Sequence, residues 1–309
     1  MNISDYINNL IIEANRLLVS DIHFNPNEEY TKIYFRYNNS LKLQKEIDIE
    51  TYNKLLRYIK YKSKLDISLT REPQDGRFVL QDNKDNISMR VSTIPLLENE
   101  SLVIRLLNEQ NHTSMEELSY YQEDLLNMYK TIKSKNGLFI FTGPTGSGKS
   151  TSMYSILNSL AINDNLKIVC IENPVEVINN NFIQININED IGLTYATALK
   201  ASLRQDPDII MIGEIRDEET AKNVFRAALT GHTVISTMHT KNKYGVIERF
   251  KDFGFSNSEI HSILIGISNQ RIIKSNNTFK ALFDYVLEDD IEKLGPNEVS
   301  IEQKLKEII

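Results

Sequence analysis

The segment 143–151 constrains this chain more than any other part of its sequence. It reads GPTGSGKST, fits the pattern G-x-x-x-x-G-K-[S/T], and follows the apolar run 138–141. In such a segment, glycines let backbone N–H groups converge on phosphate oxygens, the lysine adds a compact positive charge, and the serine hydroxyl can bind Mg²⁺. The N-terminus of the following helix contributes its dipole. The sequence therefore predicts a phosphate-binding loop made of Gly143, Pro144, Thr145, Gly146, Ser147, Gly148, Lys149, Ser150 and Thr151.

Two acidic residues follow apolar runs that predict buried strands. Glu172 comes after the run 167–171, and Glu214 comes shortly after the run 208–212. Ligands of open α/β sheets bind at the carboxyl ends of the strands, so both carboxylates are candidates for Mg²⁺ binding and water activation. We assign the metal to Ser150 and Glu214. A solvated turn residue remains the alternative for Glu214, and a surface-loop carboxylate remains the alternative for Glu172.

Two histidines flank the predicted strand 233–238. His239 follows its carboxyl end, where an imidazole could donate a hydrogen bond to a γ-phosphate. His232 precedes the strand, so we expect it to lie farther from the phosphate loop. A loop imidazole without a role is the alternative for both residues, and it is favoured for His232.

The distribution of glycine divides the chain. Of 12 glycines, only Gly76 lies before position 137, and the stretch 108–114 is polar throughout, as linkers are. We predict an N-terminal α+β domain over 1–110, a linker over 111–115 and a P-loop domain over 116–309. In the P-loop domain, apolar strands alternate with helices, which indicates an α/β sheet covered on both faces.

Hydrophobic periodicity places the expected elements. In the N-terminal domain we expect a helix capped by Ser4, a second helix over 51–65, and strands over 32–37, 77–80, 87–93 and 101–107. In the P-loop domain we expect strands over 138–141, 167–171, 208–212 and 233–238. Helices are expected from 149, over 194–205 with Thr194 as cap, and over 218–229 with Asp217 as cap.

Composition excludes several classes of protein. The 35 basic and 42 acidic residues give a net charge of −7, which argues against a dominant sequence-independent grip on DNA. A single cysteine, Cys170, can form neither an internal disulfide nor a cysteine-rich zinc site. No apolar run approaches the length of a membrane span, and the first residues lack the pattern of a signal peptide. These features favour a cytosolic protein.

The motifs, taken in order, resemble those of the secretion ATPase superfamily, the hexameric motors of type II secretion, type IV pili and competence pili. Besides the phosphate loop, IENPVEV at 171–177 resembles the aspartate box of that family. RQDPDIIMIGEIRD at 204–217 resembles its Walker B segment, and TGHTVISTMHT at 230–240 resembles its histidine box. Upstream, SDIHFNP at 20–26, REPQDGRF at 71–78 and MRVSTIP at 89–95 resemble its N-terminal domain. The resemblance implies a RecA-like P-loop ATPase domain with a smaller N-terminal α+β domain.

The resemblance also implies ATP hydrolysis with ATP and Mg²⁺ as cofactors. In this family pattern, Glu172 helps to activate the attacking water, Glu214 acts at Mg²⁺ and the water, and His239 senses the γ-phosphate.

Arginines of the N-terminal domain match family residues that reach the γ-phosphate. Arg90 and Arg105 are the main candidates, and both alternate with apolar positions of their strands, so they point away from the apolar face. An arginine suits the charge that develops in phosphoryl transfer. On spacing alone, exposed strand arginines remain the alternative. Arg71 and Arg77 are weaker candidates.

The chain departs from the family pattern in ways that favour one branch. Asn173 stands where the family usually has aspartate, and one cysteine cannot build the four-cysteine metal insertion of many members. The segment 267–272 resembles the Q-R-L segment of assembly-type ATPases. Together, these features are most similar to the competence-pilus assembly ATPases of Gram-positive bacteria.

That branch implies a homohexamer at the inner face of the cell membrane, in the cytoplasm. It would act on a polytopic membrane platform protein to assemble a pseudopilus for DNA uptake, with neither direct nucleic-acid contact nor structural zinc. A pilus-retraction motor, a DNA translocase and a nucleotide-gated scaffold remain alternatives.

Overall fold

The chain divides into two compact units, residues 1–111 and 112–309. The structure is a computed structural model that describes residues 2–37, 40–82, 85–107, 115–275, 278–295 and 301–308. Of the predicted linker, 111–115, only Met115 is described, and it already begins a helix. The rest of that linker lies outside the described residues.

The N-terminal unit is an antiparallel sheet with helices on one face. Its helices are α1 (Ile3–Arg16) and α2 (Ile49–Lys62). Its strands are β1 (Asp21–Pro26), β2 (Tyr30–Tyr37), β3 (Ser40–Asp48), β4 (Gln74–Asp82), β5 (Asp85–Pro95) and β6 (Glu100–Leu107). They pair in the order β3-β2-β1-β6-β5-β4. The core of the unit lies between the helices and the apolar face of the sheet. The predicted α+β class of this unit is confirmed.

The two helices of this unit begin at caps that were not predicted from the sequence. The side chain of Asn2, not Ser4, caps α1, and it accepts a hydrogen bond from the Ser4 backbone N–H. Asp48 caps α2 by accepting from the Thr51 backbone N–H at 2.7 Å. The predicted start of α2 at Thr51 is therefore late, because Asp48 at the end of a strand was not considered as a cap.

One row of charged residues crosses the face of this sheet that is opposite the helices. Arg36, Asp21, Arg105, Arg90 and Arg77 are directly opposite neighbours on β2, β1, β6, β5 and β4. Residues paired in this way share a face of the sheet. We call this set the arginine row. The predicted alternation is confirmed, since the apolar neighbours of Arg90 and Arg105 along their strands are buried.

The second unit is built on a mostly parallel sheet in the order β13-β12-β7-β11-β10-β8-β9. Its strands are β7 (Gly137–Thr142), β8 (Ile168–Glu172), β9 (Phe182–Asn186), β10 (Ile209–Ile212), β11 (Thr233–Met238), β12 (Leu264–Ser275) and β13 (Thr278–Leu287). Its helices are α3 (Met115–Leu118), α4 (Gln122–Ser134), α5 (Lys149–Asn163), α6 (Tyr195–Ser202), α7 (Glu218–Leu229), α8 (Tyr244–Asp252), α9 (Asn257–Ile263), α10 (Glu288–Ile291) and α11 (Ile301–Ile308).

Both faces of this sheet are covered. Every residue of β7, β8, β10 and β11 is buried, and two separate apolar clusters lie on the two sides of these strands. The predicted α/β class with a doubly covered sheet is confirmed. Asp217 caps α7 and Thr194 caps α6, as predicted.

Three strands toward the two edges of this sheet, β9, β12 and β13, were not predicted from the sequence. β9 follows β8 in parallel, and β12 pairs with β7 on one side and with β13 as an antiparallel hairpin on the other. β12 carries the buried polar residues Ser268, Asn269 and Gln270 in its middle, which hides the apolar pattern of a core strand.

The C-terminal segment forms α11, whose Ile301 packs against Ile273 and Leu282. Within the described residues, none of the helices combines the length and the hydrophobicity needed to cross a bilayer.

Candidate active site

The carboxyl ends of β8, β10 and β11 border a cleft of about 500 Å³ in the second unit. The phosphate loop and the start of α5 form its other wall. Among the residues singled out by the sequence, the cleft is lined by Thr145, Gly146, Gly148, Lys149, Ser150, Thr151, Glu172, Glu214 and His239. The structure therefore brings the loop, both carboxylates and His239 together.

The phosphate loop takes its shape from glycines that have no room for a side chain. Gly143 has φ +140°, and a Cβ there would lie 2.6 Å from the carbonyl oxygen of Gln270. Gly148 has φ +81° and a Cβ would meet the Gln270 side chain at 3.0 Å. Strand β12 thus supports the loop from behind. Gly143, Pro144 and Ser147 do not line the cleft, and the Ser147 side chain is buried.

Lys149 lies inside the loop that precedes it. Its Nζ donates hydrogen bonds to the carbonyl oxygens of Gly143 and Pro144, each at 3.0 Å. Burial lowers the pKa of Lys149, while Glu176 and Glu214 act in the opposite direction. The lysine is therefore anchored at the base of the loop, where a phosphate group would meet its positive charge.

Glu214 lies between two basic side chains. The guanidinium of Arg216 pairs with its Oε1, and Nε2 of His239 lies 3.7 Å from its Oε2. The hydrogen bond to Glu214 raises the pKa of Arg216. The Glu214 side chain is 20% exposed, which does not fit the alternative of a freely solvated turn residue.

Glu172 is the more enclosed of the two carboxylates, with 4% of its surface exposed. That burial excludes the alternative of a surface-loop carboxylate. The hydroxyl of Tyr154, on α5, donates a hydrogen bond to Oε1 of Glu172. The backbone N–H of Glu176 approaches Oε2 at 3.5 Å. Glu172 thus reaches the cleft as a buried, hydrogen-bonded group.

The donor set at the cleft fits Mg²⁺. Ser150 and Glu214 both line the cleft, and both offer oxygen atoms, which hard divalent cations prefer. Magnesium sites of nucleotide-binding proteins need few protein ligands because phosphate oxygens and water supply the others. Ser150 and Glu214 are therefore the residues that would hold the cation.

Three further residues singled out by the sequence do not line the cleft as described within the second unit. Arg105 and Arg90 belong to the N-terminal unit, where Arg105 Nε lies 2.7 Å from Asp21 Oδ1 and Arg90 lies 3.4 Å from Asp75. Their action on phosphate stays a prediction. His232 precedes β11 and contacts Thr230 through Nδ1 at 3.1 Å, at the opposite end of that strand from His239.

Sequence reasoning missed residues that shape the cleft. Arg216 and Tyr195 line it, and Tyr154 lies behind Glu172. For Arg216, its position next to Glu214 in the segment GEIRD was an available signal. For Tyr154, the only signal was a polar ring on the buried side of the helix that follows the phosphate loop.

Comparison with known proteins identifies the family. The family model for "Type II/IV secretion system protein" matches residues 1–300. The chain belongs to this family. The predicted membership of the secretion ATPase superfamily is thereby confirmed.

Two curated relatives and one solved structure illustrate the similarity. The chain is 40% identical to "Competence protein ComGA" of Bacillus subtilis (strain 168), over 86% of this chain and 74% of that protein. It is 38% identical to "Type IV pilus assembly ATPase PilB" of Acinetobacter baylyi, over 87% of this chain and 47% of that protein. The chain thus spans about half the length of that pilus ATPase. The structure of the pilus retraction motor PilT with bound ADP superposes with a TM-score of 0.75 at 26% identity, covering 98% of this chain and 88% of PilT.

These relationships confirm two further predictions. The fold is that of the secretion ATPases, a RecA-like domain preceded by a smaller α+β domain. The enzyme class is an ATPase of the type II/IV secretion family.

Proposed function

We propose that this member of the type II/IV secretion family is an ATP-hydrolysing motor that assembles a competence pseudopilus, a type IV-like filament for DNA uptake. The observation that carries the proposal is the cleft in which Lys149, Ser150, Glu172, Glu214 and His239 meet. This set contains a cation for phosphates, oxygen donors for Mg²⁺ and a buried carboxylate for water.

Each residue has a distinct role in the proposed reaction. Lys149 and the backbone of the phosphate loop bind the β- and γ-phosphates of ATP. Bound Mg²⁺ supplies charge neutralisation on the phosphate oxygens, and Ser150 and Glu214 would hold it. Glu172 accepts a proton from the water that attacks the γ-phosphorus. His239, beside Glu214, reports whether a γ-phosphate is present.

The proposed working form is a homohexamer. Arg90 and Arg105 would stabilise charge on the γ-phosphate, because a guanidinium suits the planar, negatively charged transition state. Binding of these arginines to the γ-phosphate would close one unit on the other, and loss of that phosphate after hydrolysis would let the units reopen. ATP hydrolysis would thereby drive domain rotation.

The proposed setting is the cytoplasmic face of the cell membrane, with a polytopic platform protein of the pilus machine as partner. The identity to a protein named for competence and to one named for pilus assembly supports assembly of a competence filament. The net charge of −7 supports action on the machine rather than directly on DNA.

Steady-state ATP hydrolysis by the purified chain tests the catalytic part. We expect Mg²⁺-dependent turnover that is lost in Lys149→Ala and falls by about 10²-fold or more in Glu172→Gln. The matched control is Glu189→Gln, an exposed carboxylate at the start of a short 3-10 helix of the same unit. Wild-type rates in Glu172→Gln would contradict the role of Glu172.

The direction of the motor is tested in the cell. If the chain assembles filaments, deletion of its gene abolishes both filaments and transformation, and an allele with Lys149→Ala does not restore them. Retraction is the second candidate, because the solved structure of a retraction motor superposes on nearly the whole chain. A retraction motor predicts surplus filaments in the deletion strain.

A further inference from the structure

Behind the cleft, Tyr154 connects the helix of the phosphate loop to the carboxylate of Glu172. Its hydroxyl donates to Glu172 Oε1, and Nε2 of Gln184 donates to the Tyr154 oxygen at 3.2 Å. Tyr154 and Glu172 are both buried. The three side chains come from α5, β8 and β9, so this hydrogen-bonded chain joins three separate elements.

Further contacts fix the positions of Tyr154 and Gln184. The ring of Tyr154 packs against Phe182 with ring centroids 5.8 Å apart. Gln184 Nε2 also donates to the carbonyl oxygen of Val177 at 2.7 Å, and its Oε1 accepts from the Asn179 backbone N–H at 2.8 Å. Gln184 therefore cannot turn away without losing several hydrogen bonds, and it fixes the hydroxyl of Tyr154 in turn.

The direction of the Tyr154 hydrogen bond follows from its surroundings. Burial and the nearby charge of Glu172 both raise the pKa of Tyr154, so the hydroxyl keeps its proton. Because Gln184 donates to the Tyr154 oxygen, the hydroxyl proton is directed to Glu172. A hydrogen bond of this kind stabilises the charged form of a buried carboxylate, which burial alone would disfavour.

We propose that Tyr154 is a positioning residue for ATP hydrolysis: its hydroxyl holds one oxygen of Glu172 so that the carboxylate is oriented toward the water. This inference rests on the proposed role of Glu172 as the group that activates water. Tyr154 touches neither ATP nor water in this scheme, and it acts only through Glu172.

The arrangement also couples nucleotide binding to the water-activating group. Lys149 and Ser150 begin α5, and Tyr154 lies further along the same helix. Any displacement of α5 on phosphate binding would therefore act on Glu172 through Tyr154. Small displacements of such catalytic groups have large effects on rate.

The substitution Tyr154→Phe tests the proposal, because it keeps the ring and removes only the hydroxyl. We expect kcat to fall by about 10- to 100-fold, as for other residues that orient a catalytic group, with KM for ATP changed less than about twofold. Binding of a fluorescent ADP analogue, which needs the loop but not Glu172, should remain at the wild-type level and shows that the variant is folded.

Tyr129→Phe is the matched control. The Tyr129 hydroxyl on α4 also donates to a carboxylate, Asp164, at the end of α5 and away from the cleft. A purely structural role for such bonds predicts similar effects on kcat and on thermal unfolding in both variants. A fall in kcat that is confined to Tyr154→Phe supports positioning, and a wild-type kcat in Tyr154→Phe overturns it.

A double-mutant cycle tests whether Tyr154 acts through Glu172, separately from the proposed role of Glu172 itself. If Tyr154 acts through Glu172, adding Tyr154→Phe to Glu172→Gln causes little further loss, whereas independent effects would multiply. Normal turnover in Glu172→Gln overturns the proposed role of Glu172, on which this inference rests, while an inactive Glu172→Gln with an active Tyr154→Phe overturns only this inference. Should Tyr154→Phe fail to fold, Gln184→Met removes the support of the hydroxyl, and we expect a smaller fall in kcat; unchanged kcat there contradicts the proposal.

Discussion

At the scale of single residues, Asn173 is the position at which a motor and a nucleotide-gated scaffold can be distinguished. It lines the cleft beside Glu172, at the position where the resemblance leads one to expect aspartate. Because Glu172 is buried, hydrogen-bonded and directed to the same cleft, the chain keeps a carboxylate suited to activate water. The loss of one charge at Asn173 is therefore compatible with hydrolysis.

We predict that Asn173→Asp changes kcat by less than about threefold, because the water-activating group is already present. The measurement is steady-state ATP hydrolysis in Mg²⁺, with Asn181→Asp, a neighbouring exposed asparagine, as the control for added charge. An inactive wild type that becomes active with Asn173→Asp would favour the scaffold instead.

The sequence was a reliable guide to residues that belong to a continuous motif and a poor guide to their supports. The phosphate loop, Glu172, Glu214 and His239 stand next to predicted strand ends, so topology alone groups them. Gln184 is brought near Glu172 by the pairing of β9 with β8, and Tyr154 by the packing of α5 on the sheet; no spacing along the chain encodes these contacts.

At the scale of elements, a buried ion pair fastens α2 to the start of β6. Lys60 Nζ lies 2.5 Å from Glu100 Oε1 and donates to the carbonyl oxygen of Leu69 at 2.9 Å, and both charged side chains are buried. Either charge left alone in that interior would be costly, so each group depends on the other.

We predict that Lys60→Met destabilises the N-terminal unit by about 3–5 kcal/mol, because Glu100 is left as an uncompensated buried charge. Hydrogen exchange of the α2 and β6 amides in the full chain measures this loss. Lys54→Met, which removes an exposed pair with Glu50 on the same helix, is the control and should leave exchange unchanged. Equal protection in both variants would contradict the prediction.

A close approach of β12 to β7 sets another element-scale requirement. A Cβ on Gly266 would lie 2.3 Å from the ring of Phe139, which is fully buried. We expect Gly266→Ala to lower stability by about 1–3 kcal/mol through overpacking, seen as a lower thermal midpoint. Gly295→Ala, where an added Cβ meets nothing within 4 Å, is the control. A midpoint unchanged in Gly266→Ala would show that the ring moves aside at little cost.

Helices and strands could be predicted from the sequence where their hydrophobic pattern was clear. Three of the four fully buried strands of the second unit, β7, β8 and β10, are near-continuous apolar runs, and the capped helices have clear start signals. β12 was not predictable, because its buried Ser268, Asn269 and Gln270 interrupt the apolar pattern; of these, Gln270 lies against the glycines of the phosphate loop. The apolar pattern expected of a core strand is therefore broken in β12 where the strand borders the phosphate-binding site.

At the scale of the whole molecule, the proposed hexamer makes activity depend on assembly. Specific ATPase activity should rise with protein concentration if complete sites form only in the ring. We predict that Arg90→Ala and Arg105→Ala each lower kcat by about tenfold or more, with ADP binding unchanged. Arg57→Ala, an exposed arginine on α2, is the control. A constant specific activity across concentration, with full activity in both variants, would argue for a self-sufficient monomer.

The arginine row has a consequence for how such a chain can vary. Its members lie on five strands and meet only because every strand keeps the same register. Inserting or deleting one residue within any of these strands turns all later side chains of that strand to the opposite face. The charged side chain on that strand would then enter the apolar core, and a core residue would face water. Changes in length are thus expected in the connections between the strands, while these strands vary by substitution.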